Sequence, residues 1–387
     1  MILRDNAMAQ SLTAELLSSN YIIADTSEIV SPGIVLFYDV IERNLSQMVA
    51  IAGAPSRLRT HCKTHKMSEV SKIHLDRGIT KFKAATFAEA EMLAEAGVRD
   101  VVLAYNVVGP NIARTVQFVQ AFPNVSFAVT ADHAKPISEL GQALVEANQQ
   151  VDVLLDMDAG MHRTGVSPGP KALDLYRQLV ETGGVEPGGL HVYDGHNHHA
   201  DIVDRRAAGL ACWNAMSKFR DELVGHGWPV PRMVLGGTGT FPVYAEIDDE
   251  AIELSPGTCV FQDVGYMEKF CDLQFEPAAL LLTRVISRPT QERVTLDLGY
   301  KAVASDPPLD RRVSFLDVPD AKLVLQNEEH LVIETSQAEK YHPGDELLAI
   351  PFHICPTTAL HKFVYVIRDG RMRERWDVLS RDRIITI

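Results

Sequence analysis

Three runs of the chain gather side chains that can do chemistry. The first, His61-Cys62-Lys63-Thr64-His65-Lys66, sets an amine among imidazoles and a second ammonium group. A lysine in such company attacks a carbonyl to form an imine, provided burial and neighbouring positive charge lower its pKa. The second run, Asp156-Met157-Asp158-Ala159-Gly160-Met161-His162-Arg163, and the third, Tyr193-Asp194-Gly195-His196-Asn197-His198-His199, add carboxylates, a guanidinium, a phenol and more imidazoles. An imidazole titrating near neutrality can take a proton from a hydroxyl, and His199 is the candidate general base. Gly236-Gly237-Thr238-Gly239-Thr240 and Ser255-Pro256-Gly257-Thr258 are small and hydroxyl-rich. Glycine lets backbone N–H groups approach an anion and threonine adds donors, so both are candidate phosphate loops. His353 and Cys355 alternate in a run that reads as a strand, which points both side chains to one face and toward one ion. Thiolate and imidazole suit zinc and tolerate manganese.

Such groups need a frame to converge. From Arg57 onward, short strand-like runs alternate with amphipathic helical stretches: 57–63, 81–86, 101–105, 125–130, 151–158, 190–195, 233–239 and 253–261. Consecutive βα units in that number predict a (β/α)8 TIM-type barrel, whose reactive face is the C-terminal ends of its strands. The polar clusters stand at those ends. Phosphate is commonly held after the seventh and eighth strands, so Lys63 at the end of the first completes a barrel able to carry pyridoxal 5'-phosphate. Among the helices, Thr86 and Glu89 space a capping box, Ala88, Met92 and Ala96 share a face, and Gly97 supplies the stop. Ile137, Leu140 and Leu144, and again Leu173, Tyr176 and Val180, read as core-facing stripes.

After about residue 270 the pattern changes to LLLTRVIS, RVTLDL, KLVLQN, HLVIET, ELLAIP and KFVYVI, a mainly antiparallel β domain. The early run IVLFYDV (34–40) is assigned to that domain. The expected division is 1–40 for the start of the chain packing with the β domain, 41–268 for the barrel and 269–387 for the β domain. A net charge of −14 disfavours nucleic acid and anionic membrane surfaces. Five scattered cysteines with no CxxC pair fit reduced thiols, and neither the charged N-terminus nor the short apolar run near Ala278–Thr283 fits a signal peptide or a membrane span. A soluble, cytoplasmic protein is expected.

RTHCKTHK, LAYNVVGP, DMDAGMHRTGV, GLHVYDGHNHH, LGGTGT, ELSPGT, LDLGYKA, NEEH and IPFHICPT follow one another in an order and spacing that resembles the D-threonine aldolase and D-serine dehydratase family. That family is similar to alanine racemase in its barrel, the fold type III class of pyridoxal phosphate enzymes. The resemblance implies that Lys63 forms the imine and that Arg163 and Tyr193 lie around the cofactor ring. It places Thr238, Gly239, Thr240, Gly257 and Thr258 in phosphate-binding loops, and His353 and Cys355 on a divalent metal: zinc, manganese or magnesium. It further implies a homodimer and a lyase acting on D-β-hydroxy-α-amino acids. Retro-aldol cleavage to glycine and an aldehyde is the favoured reaction. Dehydration of D-serine or 3-hydroxy-D-aspartate is the alternative, because the family has HxD in some aldolases and HxC in dehydratases. LAYNVVG departs from the NQVVG of many relatives at Tyr105 and Asn106.

Other readings compete with these. A metal site built from His196, His198 and His199 alone suits a barrel hydrolase, but such enzymes carry an early HxH and here His61 is followed by Cys62 and Lys63. Asp156, Asp158 and Asp263 resemble acid–base carboxylates, although strand-end carboxylates more often orient neighbours such as Arg163. Glu328, Glu329 and His330 read as a solvated turn. A non-catalytic pyridoxal phosphate-binding protein needs no metal pair, and an alanine racemase needs no metal at the β-carbon.

Overall fold

The computed structural model describes residues 21–387, which divide into two units. Residues 1–20, with the charged start read above, lie outside the described residues. The first strand, β1 (Gly33–Phe37), belongs to the unit that runs through Asn44 and resumes at Val260–Glu268 and Phe275–Arg381. Helix α1 (Tyr38–Ala52) then leads into the other unit, Leu45–Cys259 with Lys269–Gln274 and Asp382–Ile387.

The second of these units is a barrel of eight parallel strands in chain order: β2 (Arg59–His61), β3 (Lys81–Ala84), β4 (Asp100–Asn106), β5 (Ser126–Ala131), β6 (Val151–Met157), β7 (Val185–Val192), β8 (Met233–Leu235) and β9 (Ile252–Leu254). Between them run α2 (Ser68–Asp76), α3 (Phe87–Glu95), α4 (Pro110–Ala121), α5 (Ala134–Glu146), α6 (Pro170–Glu181), α7 (Ile202–Gly225) and α8 (Phe241–Ala245). The seam closes where Leu58 bridges Leu254 in parallel and the buried Arg59 pairs with Glu253 and Asp100. Strands covered on both faces are apolar almost throughout. Val102, Ala128, Leu154 and Val234, from four different strands, form a buried layer inside the barrel.

Half of the expected capping box forms: Thr86 Oγ1 accepts from Glu89 N–H, but the Glu89 carboxylate reaches one residue beyond the N-cap and accepts from the N–H of Ala85. Ile137, Leu140 and Leu144 are buried as expected. The stripe on α6 is not the one expected, because Val180 is exposed and the covered face is Ala172, Leu175, Tyr176 and Leu179. The seventh and eighth runs form only three-residue strands; in the seventh, Gly236 takes φ +73° and turns the chain out of the sheet after Leu235.

In the other unit, β1 pairs antiparallel with β10 (Ala279–Ser287) and parallel with a late strand, Phe363–Arg368. The intervening strands are β11 (Arg293–Leu296), β12 (Val313–Phe315), β13 (Lys322–Gln326), β14 (Leu331–Glu334) and β15 (Glu346–Pro351); Phe363–Arg368 is β16 and Arg371–Asp377 is β17. The path β13-β14-β11-β10-β1-β16-β17 carries β15 on β10 and β12 on β15. All these pairings except β1–β16 are antiparallel. No helix among the described residues is long and apolar enough to cross a membrane.

Candidate active site

β2 ends in one tight turn, Cys62–Thr64, in which Lys63 N–H donates to His61 Nδ1 at 3.3 Å. The turn aims the half-buried Lys63 amine at Tyr193, 5.7 Å from its ring centre. Arg163 approaches the same ring at 5.1 Å and Lys83, on β3, at 5.8 Å. Three cations around one phenol repel each other unless an anion joins them. Arg163 is presented by a loop that Asp158 builds, accepting the N–H groups of Gly160 and His162 and bonding the His162 ring. Asp158 therefore orients a neighbour, as strand-end carboxylates often do.

Asp156 serves a different partner. It accepts from His191 Nδ1 at 2.7 Å, and Asn106, itself held by Thr130 Oγ1, lies 3.5 Å away. Burial favours the neutral acid, but the bonds from His191, Thr164 and Asn106 outweigh it and hold Asp156 below the ordinary carboxylate range. Burial also lowers the His191 pKa despite Asp156, so the ring is neutral with Nδ1–H donating, and its buried Nε2 has no hydrogen-bond partner. His61 is pushed well down by burial and by Lys63, Lys83 and Lys66. A polar layer thus occupies the C-terminal end of the barrel, beyond the apolar layer of Val102, Ala128, Leu154 and Val234.

The two glycine–threonine loops are stitched together by Thr238, whose Oγ1 accepts from Gly257 N–H and Thr258 N–H at 3.2 and 3.1 Å. Thr240 Oγ1 is already committed, donating to Asp194 on the loop after β7 and accepting from Gly237 N–H within its own loop. The buried Asp194 also accepts from Tyr244 OH at 2.7 Å, and burial raises its pKa. Close approach explains two glycines: a Cβ on Gly257 would lie 3.0 Å from His61 Cβ, and one on Gly239 would lie 2.5 Å from the Phe270 ring. Phe270 in turn lies under the Arg205 guanidinium, which donates to the carbonyls of His199 and Ala200 and pairs with Asp272. His199 itself is exposed, on the loop before α7, as are His196 and His198.

His353 and Cys355 do come together, but not on a strand. β15 ends at Pro351, His353 is the N-cap of α10, the helix Ile354–Leu360 that follows the short α9 (Val264–Lys269), and Cys355 lies in the first turn of α10. Proline and the start of a helix replace the expected alternation. Asp306 receives His353 Nδ1 at 2.6 Å, and Thr357 Oγ1 donates to the His353 carbonyl. Burial lowers the His353 pKa, but hydrogen bonds with Cys355 and Asp306 win and push it up to about 9. Asp263, raised to about 6 by burial, accepts the N–H groups of Tyr266 and Ile354 and so fixes the helix start. An imidazole bonded to both a thiol and a carboxylate is a donor set that fits a divalent ion. His61, Cys62 and Glu89 also bring ligand-type atoms within 4.8 Å of one another. There, however, Glu89 is already engaged by Lys66, the Ala85 N–H and the Cys62 thiol.

The cation-rich mouth with its two loops has the chemistry to fit an anionic aldehyde cofactor: Lys63 would supply the amine, with Tyr193 and Arg163 beside it, and Thr238, Gly239, Gly257 and Thr258 would line the phosphate end. Sequence reasoning did not single out Lys83, His191, Asp194, Arg205 or Asp306. For Lys83 a signal existed, namely a lysine at alternating positions of a strand, KFKA, otherwise destined for a barrel interior.

The alanine racemase N-terminal domain family matches residues 36–263, and the serine dehydratase domain family matches residues 278–367. A D-threonine aldolase of Arthrobacter sp. is 31% identical over 363 residues, 91% of this chain and 92% of the relative. A 3-hydroxy-D-aspartate aldolase of Paracoccus denitrificans is 26% identical, covering 93% and 94%. The crystal structure of a D-threonine aldolase from Filomicrobium marinum superposes with a TM-score of 0.84 at 26% identity, over 92% of this chain and 97% of that one. A D-threo-3-hydroxyaspartate dehydratase from Delftia sp. HT23, at 22% identity, shares the fold with a TM-score of 0.81 over 91% and 98%.

Proposed function

We propose, for a chain that belongs to the D-threonine aldolase and D-serine dehydratase family of alanine racemase-like enzymes, that it cleaves D-threonine and related substrates to glycine and an aldehyde. As a family member the chain is a lyase for D-hydroxy amino acids. The observation that carries the choice of reaction is the likeness, over 91% of this chain, to a D-threonine aldolase. Cys355, where an aspartate marks some aldolases, supports a second reading, dehydration of D-serine or 3-hydroxy-D-aspartate.

Pyridoxal 5'-phosphate, when bound, supplies an aldehyde for the imine and an electron sink for the α-carbon, and a divalent ion supplies a Lewis acid. The chain's residues do the rest. Lys63 offers the amine, Arg163 and Tyr193 orient the ring, and Thr238, Gly239, Thr240, Gly257 and Thr258 form the loops for the phosphate. Thr240 acts there by holding the loop's shape, because its hydroxyl is already committed to Asp194. His353 and Cys355 hold the ion, zinc, manganese or magnesium, while Asp306 fixes the imidazole. His199, exposed at the mouth, takes the β-hydroxyl proton in the aldol cleavage. In dehydration Lys63 takes the α-proton instead. The reading takes the enzyme as a homodimer in the cytoplasm, where its free cysteines stay reduced.

The test is product analysis of purified protein with D-threonine and D-serine, with and without a chelator. Glycine and acetaldehyde support the aldolase. 2-Oxobutyrate or pyruvate with ammonia supports the dehydratase, and indifference to the chelator removes the metal from the account.

A further inference from the structure

We propose that Lys83 is an anion-binding residue of the site, receiving an oxyanion supplied either by the cofactor's phenolic oxygen or by the carboxylate of the amino acid. The inference rests on the reading that the barrel mouth holds pyridoxal phosphate, and it adds a residue to that reading.

Lys81 and Lys83 alternate along β3 and share a face, yet their fates differ. Lys81 is paired with Glu253 at 3.0 Å. Lys83 is only 3% exposed, and among the described residues no carboxylate forms an ion pair with it. Its amine faces the Tyr193 ring that Lys63 and Arg163 also face. The charged and titratable groups around it are Lys63, Arg163 and Arg59, which repel it, Asp156, which attracts it, and His61 and His191, which burial keeps neutral. Asp156 is already committed to His191 and Asn106.

A buried ammonium in this setting either sheds its proton or acquires an anion. Burial and Lys63 do hold its pKa down, to about 7. An oxyanion at hydrogen-bond distance reverses that balance, because charge-assisted bonds are strongest where water is excluded. The chain as a whole carries −14, so a pocket this cationic selects its ligand by charge.

The experiment compares wild type with Lys83→Met and Lys83→Gln as full-length, cofactor-loaded proteins; the glutamine variant keeps a polar donor in case the methionine variant misfolds. Two quantities are read: the pyridoxal phosphate dissociation constant, with the pH midpoint of the imine absorption band, and KM against kcat for D-threonine. If the cofactor supplies the anion, its affinity falls about 10- to 100-fold and the midpoint moves. If the amino acid supplies it, cofactor affinity and midpoint stay put while KM rises by that factor and kcat changes little. Variants that match wild type in both quantities overturn the inference. A wild-type protein that binds no pyridoxal phosphate overturns the underlying reading instead, so the two failures are distinguishable.

Discussion

At the scale of single residues, ionisation decides what each group can do. Lys83 titrates near 7 in the folded chain and near 10.4 unfolded, so between those values the unfolded state binds more protons. Stability of the cofactor-free protein from this group is therefore fully present above the unfolded pKa and lost as pH falls through about 7. Thermal melts between pH 6 and 9 should rise less steeply with pH in Lys83→Met than in wild type; parallel curves contradict the assignment. Asp194→Ala strands the hydroxyls of Thr240 and Tyr244. We expect it to cost about 1–3 kcal/mol in urea unfolding and to weaken cofactor binding, whereas unchanged affinity would remove Asp194 from the phosphate end. Lys63, Arg163 and Tyr193 were legible from strand-end placement and family motifs, and the structure brings them together. His191 and Asp306 were not, because each matters through one hydrogen bond to a residue 35 and 47 positions away.

Among elements, the barrel depends on joining its first strand to its last. Arg59, fully buried, ties β2 to Glu253 on β9 and Asp100 on β4. Arg59→Met leaves the buried Glu253 with Lys81 as its remaining ion-pair partner and strips the partly exposed Asp100 of its own, so it should destabilise by about 3 kcal/mol, the low end for a broken buried pair. A loss below about 1 kcal/mol in denaturant melts would show that the pair balances its own desolvation. Most strands were legible because apolar runs are bounded by glycine, proline and asparagine. β17 was not: in RMRERWD, Trp376 is the buried residue, and the charged remainder suits an edge strand that no apolar alternation reveals. The turn from β15 into α10 was misread for a related reason. The run IPFHICPT is apolar enough for a strand, and what ends it is the N-cap position of His353, which spacing alone does not disclose.

For the molecule as a whole, one unit carries the Lys63 amine and the two glycine–threonine loops proposed for the cofactor, and the other a thiol–imidazole pair proposed for the ion. The account therefore predicts two separable losses. His353→Ala or Cys355→Ala should lower bound metal, measured by atomic emission, and cut activity by more than tenfold while the yellow cofactor band persists. Equal metal content in variant and wild type would place the ion elsewhere. The most direct measurement is borohydride reduction of the pyridoxal phosphate-loaded protein followed by peptide mapping. The account predicts a single stable pyridoxyl label on Lys63, lost in Lys63→Ala. A label on another lysine, or a protein that takes up no cofactor, contradicts it.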